Sequence, residues 1–151
     1  MSFWTKFFRK EDVPQIQKLE GELASILKKS DAEFLILVGL TGKLKGLDIL
    51  IVKDSRRLTF QDRQLKSFAA KGAEFLTRFK ALEFVPTAIG EPARVIKFYY
   101  NSNMQFYLFP LIENSGFMLM AYNCIAVRVL KDISKIIPML AKIRTTDEES
   151  V

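Results

Sequence analysis

The sequence predicts an α/β (α+β) fold: a three-layer α/β/α sandwich on a five-stranded antiparallel sheet, in the order α-β-β-α-β-β-β-α. Three observations carry this. Stretches with apolar residues at helical spacing alternate with short extended runs bounded by Gly, Asn and Ser. The later strands are apolar on both faces: Ile96, Phe98 and Tyr100 oppose Val95 and Tyr99, Phe106 and Leu108 oppose Tyr107 and Phe109, and Leu119 opposes Met118 and Met120. A sheet with one wet face would alternate apolar with polar, so this one must be covered on both sides. Finally, 151 residues, 49% hydrophobic and 26% charged, make one globular domain with no room for two cores.

Taken in order, residues 1–11 form an aromatic and basic arm, with Phe3, Trp4, Phe7 and Phe8 at helical spacing and Lys6, Arg9 and Lys10 between them. That composition suits either packing over a groove or anchoring at a membrane interface. Asp12 and Pro14 mark a helix start, because proline in a first turn has no amide to lose. Ile16, Leu19, Leu23, Ile26 and Leu27 give the stripe, and Gly21 within it predicts close packing against a neighbour. Residues 34–40 and 47–52 are strands, joined through Thr41-Gly42-Lys43-Leu44-Lys45-Gly46 as a hairpin. Residues 56–80 hold the second helix, with Leu65, Phe68, Ala69, Gly72, Phe75, Leu76 and Phe79 as its stripe and Thr59 with Asp62 as its cap.

The two prolines and one glycine of residues 80–93 predict a loop. Strands follow at 94–100, 104–110 and 117–123, joined by Asn101-Ser102-Asn103 and Glu113-Asn114-Ser115-Gly116. Residues 126–142 form a third helix traced by Val127, Leu130, Ile133, Ile137 and Leu140 or Ala141, with Pro138 bending or loosening its last turn. Residues 12–144 are thus the folded domain, and 145–151 a polar acidic tail.

The net charge of +6 is unevenly placed: residues 53–80 hold 8 basic against 3 acidic side chains. Arg63, Lys66, Lys71 and Arg78 on the second helix are the candidate partner-binding residues. The chain has no histidine and one cysteine, which removes the usual general base, a histidine triad and a zinc site. No metal or cofactor is expected, and Cys124 reads as a small apolar residue in a reducing compartment. Residues 39–46 imitate a phosphate loop, but two residues stand where the pattern needs four, and Leu44 follows Lys43. Their glycines serve the turn instead. The element order is not that of an RNA-recognition sheet, which disfavours nucleic acid. With no apolar run of about 20 residues and no secretory signal, the expectation is a cytoplasmic, non-enzymatic protein.

Three helices must be divided between two sheet faces, and one helix covers only part of a face about 20 Å across. The under-covered side calls for a second copy, so a dimer is expected.

The pattern resembles the roadblock (dynein light-chain roadblock) family, close in architecture to longin and profilin domains. The matching stretches are LEGELASIL running into AEFLILVGL, the Thr41-Gly42 turn, the helix QDRQLKSFAAKGAEFL, the triplet ARVIKFYY, QFYLFPLI and GFMLMAYN, and the closing helix. The resemblance implies a non-catalytic homodimer that regulates or scaffolds a small Ras-like GTPase. It also implies third strands joined edge to edge and second helices paired, which places Phe68, Phe75, Ile96, Phe98 and Tyr100 at the dimer interface. Two alternatives stand beside it: a profilin- or PAS-like sensory domain holding a small ligand, and a membrane-peripheral adaptor using the N-terminal aromatics.

Overall fold

The computed structural model describes residues 13–57, 59–79, 94–111 and 116–142. The expected arm at 1–11, the loop at 80–93 and the tail at 145–151 lie outside the described residues.

Helix α1 spans Val13–Ser30 and buries Val13, Ile16, Leu19, Leu23 and Ile26, the stripe its spacing predicts. Gly21 departs from expectation. It is exposed, and a Cβ built there would meet nothing within 4 Å, so no neighbour packs against it. Strand β1 (Phe34–Gly39) follows, buried at every position. A 3-10 turn at Gly42–Leu44 leads to β2 (Asp48–Lys53), which pairs antiparallel with β1. Gly42 and Gly46 adopt φ of 61° and 77°, and a Cβ on Gly39 would fall 2.2 Å from the Leu44 carbonyl oxygen. The glycines shape this connection, as turn glycines do.

Helix α2 spans Asp62–Phe79, beginning later than residue 56. Arg56 and Arg57 belong to the preceding loop, where each Nε donates to the Asp54 carboxylate at 3.0 Å. Arg57 also donates to the carbonyls of Asp31 and Ala32, at 3.1 and 2.9 Å, tying this loop to the end of α1. The Arg56 guanidinium and backbone amide, with Arg57 beside them, hold the Asp54 carboxyl well below the usual carboxylate range.

The expected Thr59 cap is overturned. The Thr59 hydroxyl donates to Glu33 Oε1 at 2.6 Å, while the Gln64 side chain accepts from the Gln61 amide at 2.8 Å. Gln61 therefore starts the helix, with the residue three positions on reaching back as in a capping box.

Strands β3 (Ile96–Asn101), β4 (Met104–Pro110) and β5 (Phe117–Tyr122) complete one sheet in the order β2-β1-β5-β4-β3, with every neighbouring pair antiparallel. In the β3–β4 turn the Asn101 carboxamide accepts from the Asn103 amide at 2.8 Å, the local bond that makes asparagine a turn residue. Helix α3 spans Ala126–Ala141. Its buried positions are Val129, Asp132, Ile133, Ile136 and Leu140, whereas Val127 is 71% exposed. Ile133 and Leu140 of the expected stripe are buried and Leu130 and Ile137 pack against the same core, so only Val127 falls off it, while Val129 and Ile136 widen the buried face. Pro138 lies inside the helix, on its exposed side.

Two cores result. Leu35, Leu37, Tyr107, Phe109, Leu119 and Ala121 point from the sheet toward α1 and α3. Phe34, Ile36, Val38, Phe106, Leu108, Met118 and Met120 point toward α2. Cys124 packs half-buried at the edge of the first core, and burial pushes its thiol up to about 12. Among the described residues no helix is long and apolar enough to cross a membrane.

Candidate functional site

The site follows from where α2 sits. Leu65, Ala69, Ala73 and Leu76 bring it down over the β2–β1–β5 side of the sheet. Gly72 lets it approach closely, since a Cβ there would lie 2.8 Å from Met118 Cε. An aromatic cluster fixes the first half of the helix: Phe60 and Phe68 meet edge to face at 5.0 Å, and Phe68 meets Phe106 at 5.1 Å. With α2 placed there, Phe106 and Leu108 of β4 are still covered, but β3 beyond them lies at the margin of that cover, with Phe98 half-buried and Tyr100 exposed.

What is left is a half-open trough of about 370 Å³ between α2 and β3, lined by Phe68, Phe75, Phe98, Tyr100, Phe106, Leu108 and Met120. Phe75 and Phe98 close it by an edge-to-face contact at 5.0 Å. Its outer wall is an edge strand. Among the described residues β3 pairs only with β4, so its far side presents unpaired backbone donors and acceptors. Tyr99 and Tyr100 on that strand are 63% and 65% exposed. Tyr99 faces away from the trough, where Lys97 Nζ lies 5.3 Å from its ring centroid.

Four of the five expected interface residues, Phe68, Phe75, Phe98 and Tyr100, line this trough. Ile96 packs half-buried beside them against the α2-side core. The four expected partner-binding cations are all exposed but do not share one surface. Arg63 and Arg78 lie near the outward crest of α2, about 60° apart around its axis. Arg78 is paired with Glu74 at 3.1 Å. Lys66 and Lys71 are five positions apart, about 140° around the helix. Lys71 therefore joins the rim of the trough, while Lys66 faces the β2 side. There Lys53 is paired with Asp62, whose carboxyl it holds below the ordinary range. Among the described residues no group of three or more His, Cys, Asp or Glu is placed to hold a metal ion. The arm residues Phe3, Trp4, Phe7 and Phe8 lie outside the described residues.

Tyr99 and Lys97 went unremarked as surface features in the sequence, although Lys97 interrupts an otherwise apolar strand and so signals a wet edge.

No family model and no curated protein matches the sequence. Solved structures do share the fold. The chain is similar to an MglB with a tetrameric arrangement at 9% identity and a TM-score of 0.65, over 83% of this chain and 89% of that one. It is similar to MglB from Myxococcus xanthus at 16% identity and a TM-score of 0.61, over 82% and 95%. A roadblock/LC7 domain from Streptomyces avermitilis aligns at 10% identity and a TM-score of 0.58, over 82% and 98%. The fold is therefore the roadblock fold, spanning most of the chain.

Proposed function

We propose that this roadblock-fold chain is a non-catalytic regulator or scaffold that acts as a homodimer and binds a small Ras-like GTPase. The observation that carries it is the trough beside an unpaired edge strand. A two-fold axis along β3 would pair that edge with its own copy and bury Phe98, Tyr100, Phe68 and Phe75 against their equivalents. Backbone pairing and aromatic burial then come from one operation, and the sheet becomes continuous through both copies. The paired α2 helices would form a flat basic surface beside this junction.

The position of the cations refines the partner side. Lys71 sits where the copies would meet, so Arg63, Lys66 and Arg78 are the ones left to face an acidic surface. Complementary charge of this kind steers encounter and sets salt dependence more than it sets affinity. Non-catalytic action fits a fold likeness to roadblock domains and a site made of aromatics and cations. The sensory alternative gains little, because the trough is open along the sheet edge where a small ligand would need enclosure.

Light scattering coupled to sizing chromatography tests the dimer: twice the chain mass at micromolar concentration is expected, and a clean monomer would sink the model. The partner is tested by titrating a purified Ras-like GTPase, loaded with GDP or GTP, against the wild-type chain and Lys66→Glu. Loss of affinity in the variant is expected, and no binding in either nucleotide state rules out that GTPase.

A further inference from the structure

On the other side of the sheet, α1 and α3 lie together and present a surface that the dimer and its GTPase do not use. Lys28, Lys29, Arg128, Lys131 and Lys135 line an open cleft of about 480 Å³ between them, with Asp132 as its carboxylate. Asp132 is buried and paired with Lys135 at 3.3 Å, so it offers little charge to an incoming ligand. It is also the sole acidic residue in Ala126–Ala141. Lys131 and Lys135 stand one helical turn apart with Val127 one turn before them, so all three share the outward face of α3.

Local structure accounts for only part of this charge. Lys28 and Lys29 can complement the carbonyl end of α1, and Arg128 Nη1 donates to the Lys29 carbonyl at 3.1 Å. Lys131 has no such duty in the middle of α3. Beside the cations are two exposed aliphatic side chains, Val127 at 71% and Ile125 at 41%. The Ile125 amide bonds to the Ser30 carbonyl at 2.8 Å, which holds it at the same end of the cleft as Lys28 and Lys29.

We infer that the α1–α3 surface docks on an anionic lipid membrane, with Ile125 and Val127 entering the headgroup boundary and the five cations meeting acidic headgroups. Apolar side chains rimmed by lysine and arginine are the composition of an interfacial surface. A nucleic acid would gain nothing from two exposed aliphatics, and the cleft offers no aromatic platform for bases to stack on. The sequence preceding α1 adds a second signal of the same kind, four aromatics among three cations in its first ten residues. One weak signal gives reversible binding; two hold. Because the sheet separates this surface from α2, membrane docking leaves the trough and the α2 surface free.

The test is co-sedimentation of the full chain with vesicles of phosphatidylcholine, with and without about a third phosphatidylserine. Binding is expected only with phosphatidylserine and should fade at high salt. Lys131→Glu with Lys135→Glu should weaken it by roughly tenfold or more, and Val127→Ser by a few-fold, with thermal unfolding unchanged because all three side chains are exposed. A variant lacking residues 1–11 should keep a weaker, still charge-dependent affinity. The inference is overturned if the charge-reversed chain binds like wild type, if only the arm deletion abolishes binding, or if the chain ignores phosphatidylserine. Preference for a DNA duplex or polyglutamate over these vesicles in competition would also overturn it, and would assign the cleft to a nucleic acid or an acidic protein.

Discussion

The two faces of the sheet are made of similar residues and end in opposite states. On the α1–α3 side, two helices close over Leu35, Leu37, Phe109 and Leu119, each at most 1% exposed. On the α2 side, one helix closes over Phe34, Ile36, Val38 and Met118 but leaves the trough beside β3, with Phe98 half-buried and Tyr100 at 65%. The difference lies in helix number rather than in strand hydrophobicity. A strand residue of the same chemistry is core where two helices meet it and lines an open trough where one helix has passed it by.

Substitutions on the two sides should therefore fail in different ways. The largest effect belongs to the closed face: Phe109→Ala should lower unfolding free energy by about 3–5 kcal/mol, read by urea denaturation. A loss below about 1 kcal/mol would mean that this core is not as tightly filled as its burial indicates. Next, Phe98→Glu in the trough should turn the proposed dimer into a monomer by light scattering while circular dichroism keeps its folded form. Unfolding instead would make Phe98 part of the core and erase the contrast. Cys124 reports on the closed side from its edge. With its thiol pushed up to about 12, alkylation by iodoacetamide at mildly alkaline pH should be slower in the native chain than in urea, by roughly tenfold or more.

Smaller effects sharpen the comparison. Lys66→Glu should weaken partner affinity by about tenfold or less while leaving the dimer intact, whereas Lys71→Glu should disturb dimerisation as well. If the two variants behave alike, the separation of these lysines around α2 has no functional meaning. Asp54→Asn should have the smallest effect of the set, a loss of stability that is present at neutral pH and disappears toward strongly acidic pH. A carboxyl with a depressed folded-state pKa contributes stability above its unfolded value near 3.8, and that contribution is lost as pH falls below it. The wild type should thus lose more stability than the asparagine variant between neutral and strongly acidic pH, as followed by thermal melts.

Much of this was legible in the residues themselves. Strands apolar on both faces required cover on both sides, and three helices set against two faces implied that one face would be under-covered. Alternation along β3 put Ile96, Phe98 and Tyr100 on one side; naming them with Phe68 and Phe75 at an interface came from the roadblock resemblance. What escaped depends on long-range geometry. Thr59 has the chemistry of a cap, but Glu33, distant in sequence, claims its hydroxyl. Val127 and Val129 both continue a helical period, and only the sheet below decides which turns inward. Gly21 looked like a packing glycine because sequence cannot say whether a neighbour stands opposite. The α1–α3 cleft was invisible for a similar reason: Lys28 and Lys131 become neighbours only when the helices are side by side.

The order β2-β1-β5-β4-β3 has a consequence for how the chain is made. β1 is an interior strand, yet its second neighbour is the last strand synthesised, joined through pairs such as Phe34 with Tyr122. Until β5 leaves the ribosome, β1 has an open edge and two apolar faces, which is the profile of a sticky intermediate. The α1-β1-β2-α2 half can form its local contacts early but cannot finish, and closure waits on contacts of long sequence separation. A chain that stalls or is cut within β4 would lose the strand that joins the halves, leaving each with an unsatisfied edge suited to pairing with a neighbour.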